Sequence, residues 1–98
     1  MQNIKEAKRL YYQRRRAEQI KTLHKEKKQE FLAKYPEWNI LRILVKPNHV
    51  ELIEKLHGLT PIYYTIQDIA TEKGVSRQAI HYAHQLALKA LDKQNSKL

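Results

Sequence analysis

The spacing of apolar residues changes at Pro36, which separates a polar first third from a more apolar remainder. From Asn3 to about Lys34 the chain has neither Pro nor Gly, and Lys, Arg, Glu, Gln, Ala and Leu, all strong helix formers, dominate. Ile4, Ala7, Tyr11, Ala17, Ile20, Leu23, Phe31 and Leu32 recur loosely at helical spacing, in a thin stripe interrupted by Arg14, Lys27 and Lys28. The pattern predicts one long helix, or two with a break within 21–28, closed by Pro36. It contains no sustained heptad that would support a long coiled coil.

Glu37 to Lys46 holds Trp38, Ile40, Leu41, Ile43, Leu44 and Val45. Six apolar residues in eight positions predict burial, but so short a run fits a helix or a strand. Pro47 is expected to end that element and Asn48 to cap the next, on which Val50, Leu52, Ile53 and Leu56 make a helical face stopped by Gly58. Thr60 followed by Pro61 predicts a capped start, with room only for a short turn over Ile62 to Tyr64.

The densest information lies in Thr65 to Ala83, TIQDIATEKGVSRQAIHYA. Thr65 and Asp68 fit a capping box. Ile66, Ile69 and Ala70 form an inward face, Gly74 makes a turn, and Val75 is expected to enter the core. Ser76 caps a last helix running to about Lys93. On it Ile80, Ala83, Ala87, Ala90 and Leu91 face inward, with Leu86 and Leu88 on the flanks. The tail from Gln94 is expected to fray.

With that face buried, Arg77, Gln78, His81, Tyr82 and Gln85 point outward or lie at its edge. Arg can bridge guanine O6 and N7, and Gln can pair with adenine, so these residues suit base reading in a major groove. Arg77 and Gln78 lead, because the first turn of such a helix enters deepest. Ser76 and Thr65, at the two helix starts, and nearby Lys73 and Tyr64 suit phosphate contacts. Helix–glycine–helix corners also occur in proteins that never touch DNA.

The segment resembles the helix-turn-helix DNA-binding family, and within it is most similar to region 4 of the sigma-70 factors, which recognises the promoter −35 element. The resemblance rests on Ile69 and Ala70 in the supporting helix, Gly74 at the turn, Val75 after it, and Ile80 and Ala83 in the recognition helix. GVSRQAI and the Ala/Leu-rich, basic continuation HYAHQLALKALDK carry it further, over roughly Val50 to Lys93. Lys73 departs from it, standing where the family commonly has an apolar residue. Residues 1–46 do not look like the sigma segment that binds the −10 element. The resemblance therefore implies a small regulator or mobile-element protein with a sigma-like fold, not a complete sigma factor.

Composition adds a polyanion partner. Nineteen Lys and Arg against ten Asp and Glu give a formal +9, and residues 1–34 carry eleven basic and four acidic side chains. Arg14, Arg15 and Arg16 stand out in that segment as phosphate contacts of the salt-sensitive, sequence-independent kind, although charge runs on helices are commonly just solvated faces. The absence of Cys excludes disulfides, thiolate metal sites and cysteine nucleophiles. No apolar run is long enough to cross a bilayer or to act as a signal peptide, so a cytoplasmic, non-membrane protein is expected. His24, His49, His57, His81 and His84 form no metal or catalytic pattern, so neither a cofactor nor enzymatic activity is expected.

The expectation is an all-α helix-turn-helix bundle with a long basic N-terminal helix. Residues 1–35 form a basic helical arm and 36–98 a helix-turn-helix domain, together one compact unit. Its function would be sequence-specific binding of double-stranded DNA, in transcriptional regulation, with a homodimer reading two half-sites. The competing readings are an interaction module for RNA polymerase or a sigma factor, and a plasmid or phage accessory protein for DNA transfer or replication.

Overall fold

The computed structural model describes residues 4–98; Asn3 and the side chains of Ile4, Lys5 and Glu6 lie outside what is described. Five helices follow one another, α1 (Ile4–Lys34), α2 (Trp38–Leu44), α3 (Pro47–Leu56), α4 (Ile66–Lys73) and α5 (Arg77–Asn95), with no strand among the described residues. The fold is all-α, and none of these helices is long and apolar enough to cross a membrane.

Helix α1 runs without a break through 21–28. Its 31 residues correspond to about 46 Å at 1.5 Å per residue, and the molecule is 65 Å long but only 16 Å thick. Every side chain from Ala7 to Leu23 is exposed, including Tyr11, Ile20 and Leu23 of the expected stripe. Only from His24 onward does α1 meet the rest of the chain, and there Phe31 and Tyr35 are buried and Leu32 is half-buried. The sequence stripe was too thin to distinguish the packed end from the projecting one.

The ambiguous apolar run is helical. Trp38, Leu41 and Val45, at helical spacing, are buried, but Ile40, Ile43 and Leu44 are not, and Ile43 is 80% exposed. The expected burial of all six therefore fails: a seven-residue helix lying on one surface can hide only one stripe. Asn48 does not cap α3. Lys46 occupies the cap position without a side-chain bond, and Pro47 takes the first helical position, which its fixed φ suits. Nor does Thr60–Pro61 open a helical turn, because the Thr60 hydroxyl donates to the Ile62 carbonyl (2.7 Å) and the chain bends instead of coiling.

Two apolar clusters share α3 and α5. Phe31, Tyr35, Trp38, Leu41, Val45, Val50, Ile53, Ala87 and Leu91 form the larger. Leu52, Leu56, Ile69, Ala70 and Ile80 form the smaller, with Tyr64, Ile66 and Ala83 packed against it. Adjacent faces of α3 thus serve different cores, as do the two ends of α5. Edge and tilted contacts of Phe31 with Tyr35, Trp38 and His57 at 4.8–5.1 Å join α1 to the larger cluster. The Tyr35 hydroxyl donates to the Asp92 carboxylate, tying α1 to the far end of α5.

The two glycines do different work. Gly74 ends α4 at φ +66°; its N–H donates to the Thr71 carbonyl and the Val75 N–H to that of Ala70, the two bonds of a Schellman turn. A Cβ there would meet nothing within 4 Å. Gly58, at φ +72°, lies against α1, where a Cβ would come to 2.7 Å from the His24 carbonyl oxygen. Gly74→Ala is therefore expected to cost about 1–2 kcal/mol through its left-handed backbone alone. Gly58→Ala is expected to cost clearly more, since α1 must also move. Equal losses in urea-unfolding free energy would refute the close approach of α1.

Candidate nucleic-acid interface

The α4–α5 unit is built from its caps. Thr65 Oγ1 accepts from the Asp68 N–H (3.1 Å) and the Thr65 N–H donates to Asp68 Oδ2 (2.9 Å), so the short Asp side chain completes the capping box. These bonds hold the Asp68 carboxyl below its usual range. Ser76 Oγ accepts from the Ala79 N–H (3.1 Å) and fixes the start of α5. On the supporting side, Lys55 Nζ donates to Glu51 (3.1 Å) and to Glu72 (2.9 Å) and sits 5.0 Å from the Tyr64 ring centre, which fastens α4 to α3.

One expected core residue is not there: Val75 is 45% exposed. Ile69, Ala70 and Ile80 already fill the wedge against Leu52 and Leu56, and the turn uses the Val75 backbone, not its side chain. Leu86, expected on the flank of the inward stripe, is 41% exposed, whereas Ala87 and Leu91 are fully covered.

Arg77, Gln78, His81, Tyr82 and Gln85 are all exposed, and at 3.6 residues per turn they share one side of α5. Gln78 and Gln85 lie within that face, Tyr82 stands out on it, and Arg77 lies at its edge beside His84. The two helix starts differ electrostatically. The Asp68 carboxylate already occupies the positive end of α4, whereas the first turn of α5 carries no acid and begins with Arg77. An incoming anion is thus better received at Ser76 and Arg77 than at Thr65.

Of the remaining candidates, Lys73 is exposed in the last turn of α4, and Tyr64 is half-buried between Lys55 and the smaller core. Arg14, Arg15 and Arg16 are exposed on the projecting part of α1, and Arg16 lies about 12 Å along the axis from His24, where contact with the body begins.

Sequence reasoning missed a cleft of about 660 Å³ between the packed end of α1 and the starts of α4 and α5. Lys27 and Lys34 of α1 face Tyr64, Thr65, Gln67 and Arg77 across it, with His57 and His84 also in its lining. Lys27, Phe31 and Lys34 share one helical face, so spacing alone could have placed them together. Nothing in their spacing says what they would face. His24 Nε2 lies 2.9 Å from the Thr60 carbonyl and its ring meets Tyr63 edge-on, while Lys27 Nζ sits 5.2 Å from the Tyr63 ring centre.

His57 and His84, 27 positions apart, approach Nε2 to Nε2 at 2.9 Å. One nitrogen must donate and the other accept, so both rings cannot be protonated. Burial, then the neighbouring charges of His84, Lys27 and Lys34, pushes His57 down to about 4, and burial with His81 lowers His84. Among the described residues no group of three or more His, Asp or Glu is arranged to hold a metal ion. Comparison with known proteins gave no matching family model, no matching curated protein and no matching solved structure.

The pH consequence has a definite sign. In the unfolded chain His57 takes up its proton near pH 6.5, whereas in the folded chain it does so near pH 4. Its contribution to stability is therefore complete above about pH 6.5 and is lost as pH falls toward 4. After allowance for partial exposure, the loss is about 2 kcal/mol. Thermal unfolding of wild type and His57→Phe from pH 7.5 to 4.5 should show a shallower decline in the variant. Parallel declines would mean that neutral His57 is not responsible.

Proposed function

We propose that this protein binds double-stranded DNA sequence-specifically, as a small regulator of transcription, with α5 lying in the major groove. The observation that carries the reading is the start of α5: an exposed polar face on a helix whose opposite face is buried and whose acid-free N-terminus is capped by Ser76. Such a helix presents donors and acceptors to base edges without rearranging its own core. Its resemblance to helix-turn-helix units, and to sigma region 4 in particular, supports the same docking. In this reading Arg77 and Gln78 read bases, His81, Tyr82 and Gln85 extend the contact, and Ser76 takes a phosphate.

Affinity and specificity come from different parts of the chain. Residues 1–34 hold a net +7, against +2 for residues 35–98. The projecting segment of α1 thus supplies a sequence-independent attraction, and α5 supplies discrimination.

A reading as a module for RNA polymerase or a sigma factor draws on a different observation, the exposed apolar face of Ile40, Ile43 and Leu44 on α2. Retained capture of polymerase subunits without duplex binding at physiological salt would favour it.

Selection from random duplexes separates these readings. Arg77→Ala/Gln78→Ala is expected to lose preference at the bases they contact, by about 5- to 150-fold per bidentate pair; an unchanged preferred sequence rules out base reading by this helix. Arg14→Ala/Arg15→Ala/Arg16→Ala is expected to weaken binding to all duplexes alike and to reduce the slope of log affinity against log salt by roughly three. An unaltered slope would remove these arginines from the phosphate contact.

A further inference from the structure

We infer that the cleft between α1 and the α4–α5 unit is a binding site for a small aromatic anion, and that its occupant competes with DNA for Arg77. The cleft's volume, about 660 Å³, lies within the roughly 300–1,000 Å³ of small-molecule sites. Its lining is mixed in a particular way. Phe31, Leu56 and Leu88 supply apolar surface, and the rings of Tyr63 and Tyr64 stand beside them. Lys27, Lys34 and Arg77 bring three positive charges from two helices against the single carboxylate of Glu30.

Those cations are not used up internally. Among the described residues the ion pairs are Arg42–Glu54, Lys55–Glu51 and Lys55–Glu72, and none involves Lys27, Lys34 or Arg77. Lys27 and Lys34 instead lie 5.2 and 5.5 Å from the ring centres of Tyr63 and Tyr35.

The apolar and aromatic share of the lining argues against a stretch of phosphodiester backbone, which would strand charged oxygens on hydrocarbon. A planar ring carrying one acidic group satisfies both parts of the site. The ring takes the Phe31, Leu56 and Leu88 surface and the tyrosines, and the acid takes the rim. Arg77 is the link to function. It lines this cleft and also stands first on the outward face of α5, so a guanidinium turned to a cleft anion is withdrawn from a base edge. Binding in the cleft does not depend on the DNA reading; the competition does.

The full-length protein can be titrated with 1-anilinonaphthalene-8-sulfonate, an aromatic anion that fluoresces when desolvated, and with N-phenyl-1-naphthylamine, its uncharged counterpart. One saturable site is expected for the sulfonate, and clearly weaker binding for the neutral amine. Lys27→Ala/Lys34→Ala should weaken sulfonate binding at least about tenfold, since each removes a charged partner. Leu88→Trp should block it by enlarging a side chain of the lining, and melting curves show whether each variant is folded.

Equal affinity for the charged and neutral probes, or unchanged sulfonate affinity in folded Lys27→Ala/Lys34→Ala, overturns the site. So does weaker duplex binding in that double variant with the sulfonate unaffected, because the lysines would then serve DNA phosphates. If the sulfonate binds as expected and saturation leaves duplex affinity unchanged, the competition through Arg77 is refuted. If the chain binds no duplex at all, the DNA reading fails while the cleft measurement still stands.

Discussion

The arrangement of this chain turns on the contact between Gly58 and the backbone of α1. A helix can cross another at backbone distance only where one of them lacks a side chain, and here the glycine that ends α3 also receives the His24 carbonyl. That crossing fixes the direction of α1 over the body. Phe31 then reaches His57 and Trp38, Tyr35 reaches Asp92, and Lys27 and Lys34 come opposite the start of α5. Any side chain at position 58 would push α1 outward and open both the larger core and the cleft.

A second consequence is the division of α5. Its first turns rest on the smaller core through Ile80, and its later turns on the larger through Ala87 and Leu91. The N-terminal half is positioned by α3 and α4, with Lys55 bridging them, while the C-terminal half packs on α2, on Val50 and Ile53 of α3 and on Phe31 and Tyr35. The exposed polar face of this helix is held at two separated points, which restricts tilt more than one contact would. The projecting stretch of α1, residues 7–23, lies outside both cores, so its charge can change with little effect on the packing that orients α5.

Much of this was legible in the sequence because local chemistry dictated it. Thr65, Asp68, Gly74 and Ser76 form the caps and turn that their identities predict, and Val50, Leu52, Ile53 and Leu56 are buried as their spacing requires. What the sequence concealed depends on contacts between distant positions. Gly58 reads as a helix stop, and nothing local says that His24 lies over it. His57 and His84 each look like isolated histidines until the fold brings them together. Ile40, Ile43 and Leu44 are apolar, but their short helix can cover only one side, and Val75 stands in a turn that uses its backbone and not its side chain. Apolar identity states a preference for burial, not the availability of a partner.

The neutral histidine pair also explains why the cleft can carry unpaired lysines. Two imidazoles sharing one hydrogen bond add no charge beneath Lys27 and Lys34, whereas a protonated ring there would face both ammonium groups across partly buried space. The same lysines help keep His57 unprotonated, so cationic rim and neutral interior reinforce one another. An anion at the rim would relax that constraint and make protonation of His57 easier. Charge on Lys27 and Lys34 and protonation of His57 are thereby coupled through one small volume, although His57 lies more than twenty positions beyond either lysine.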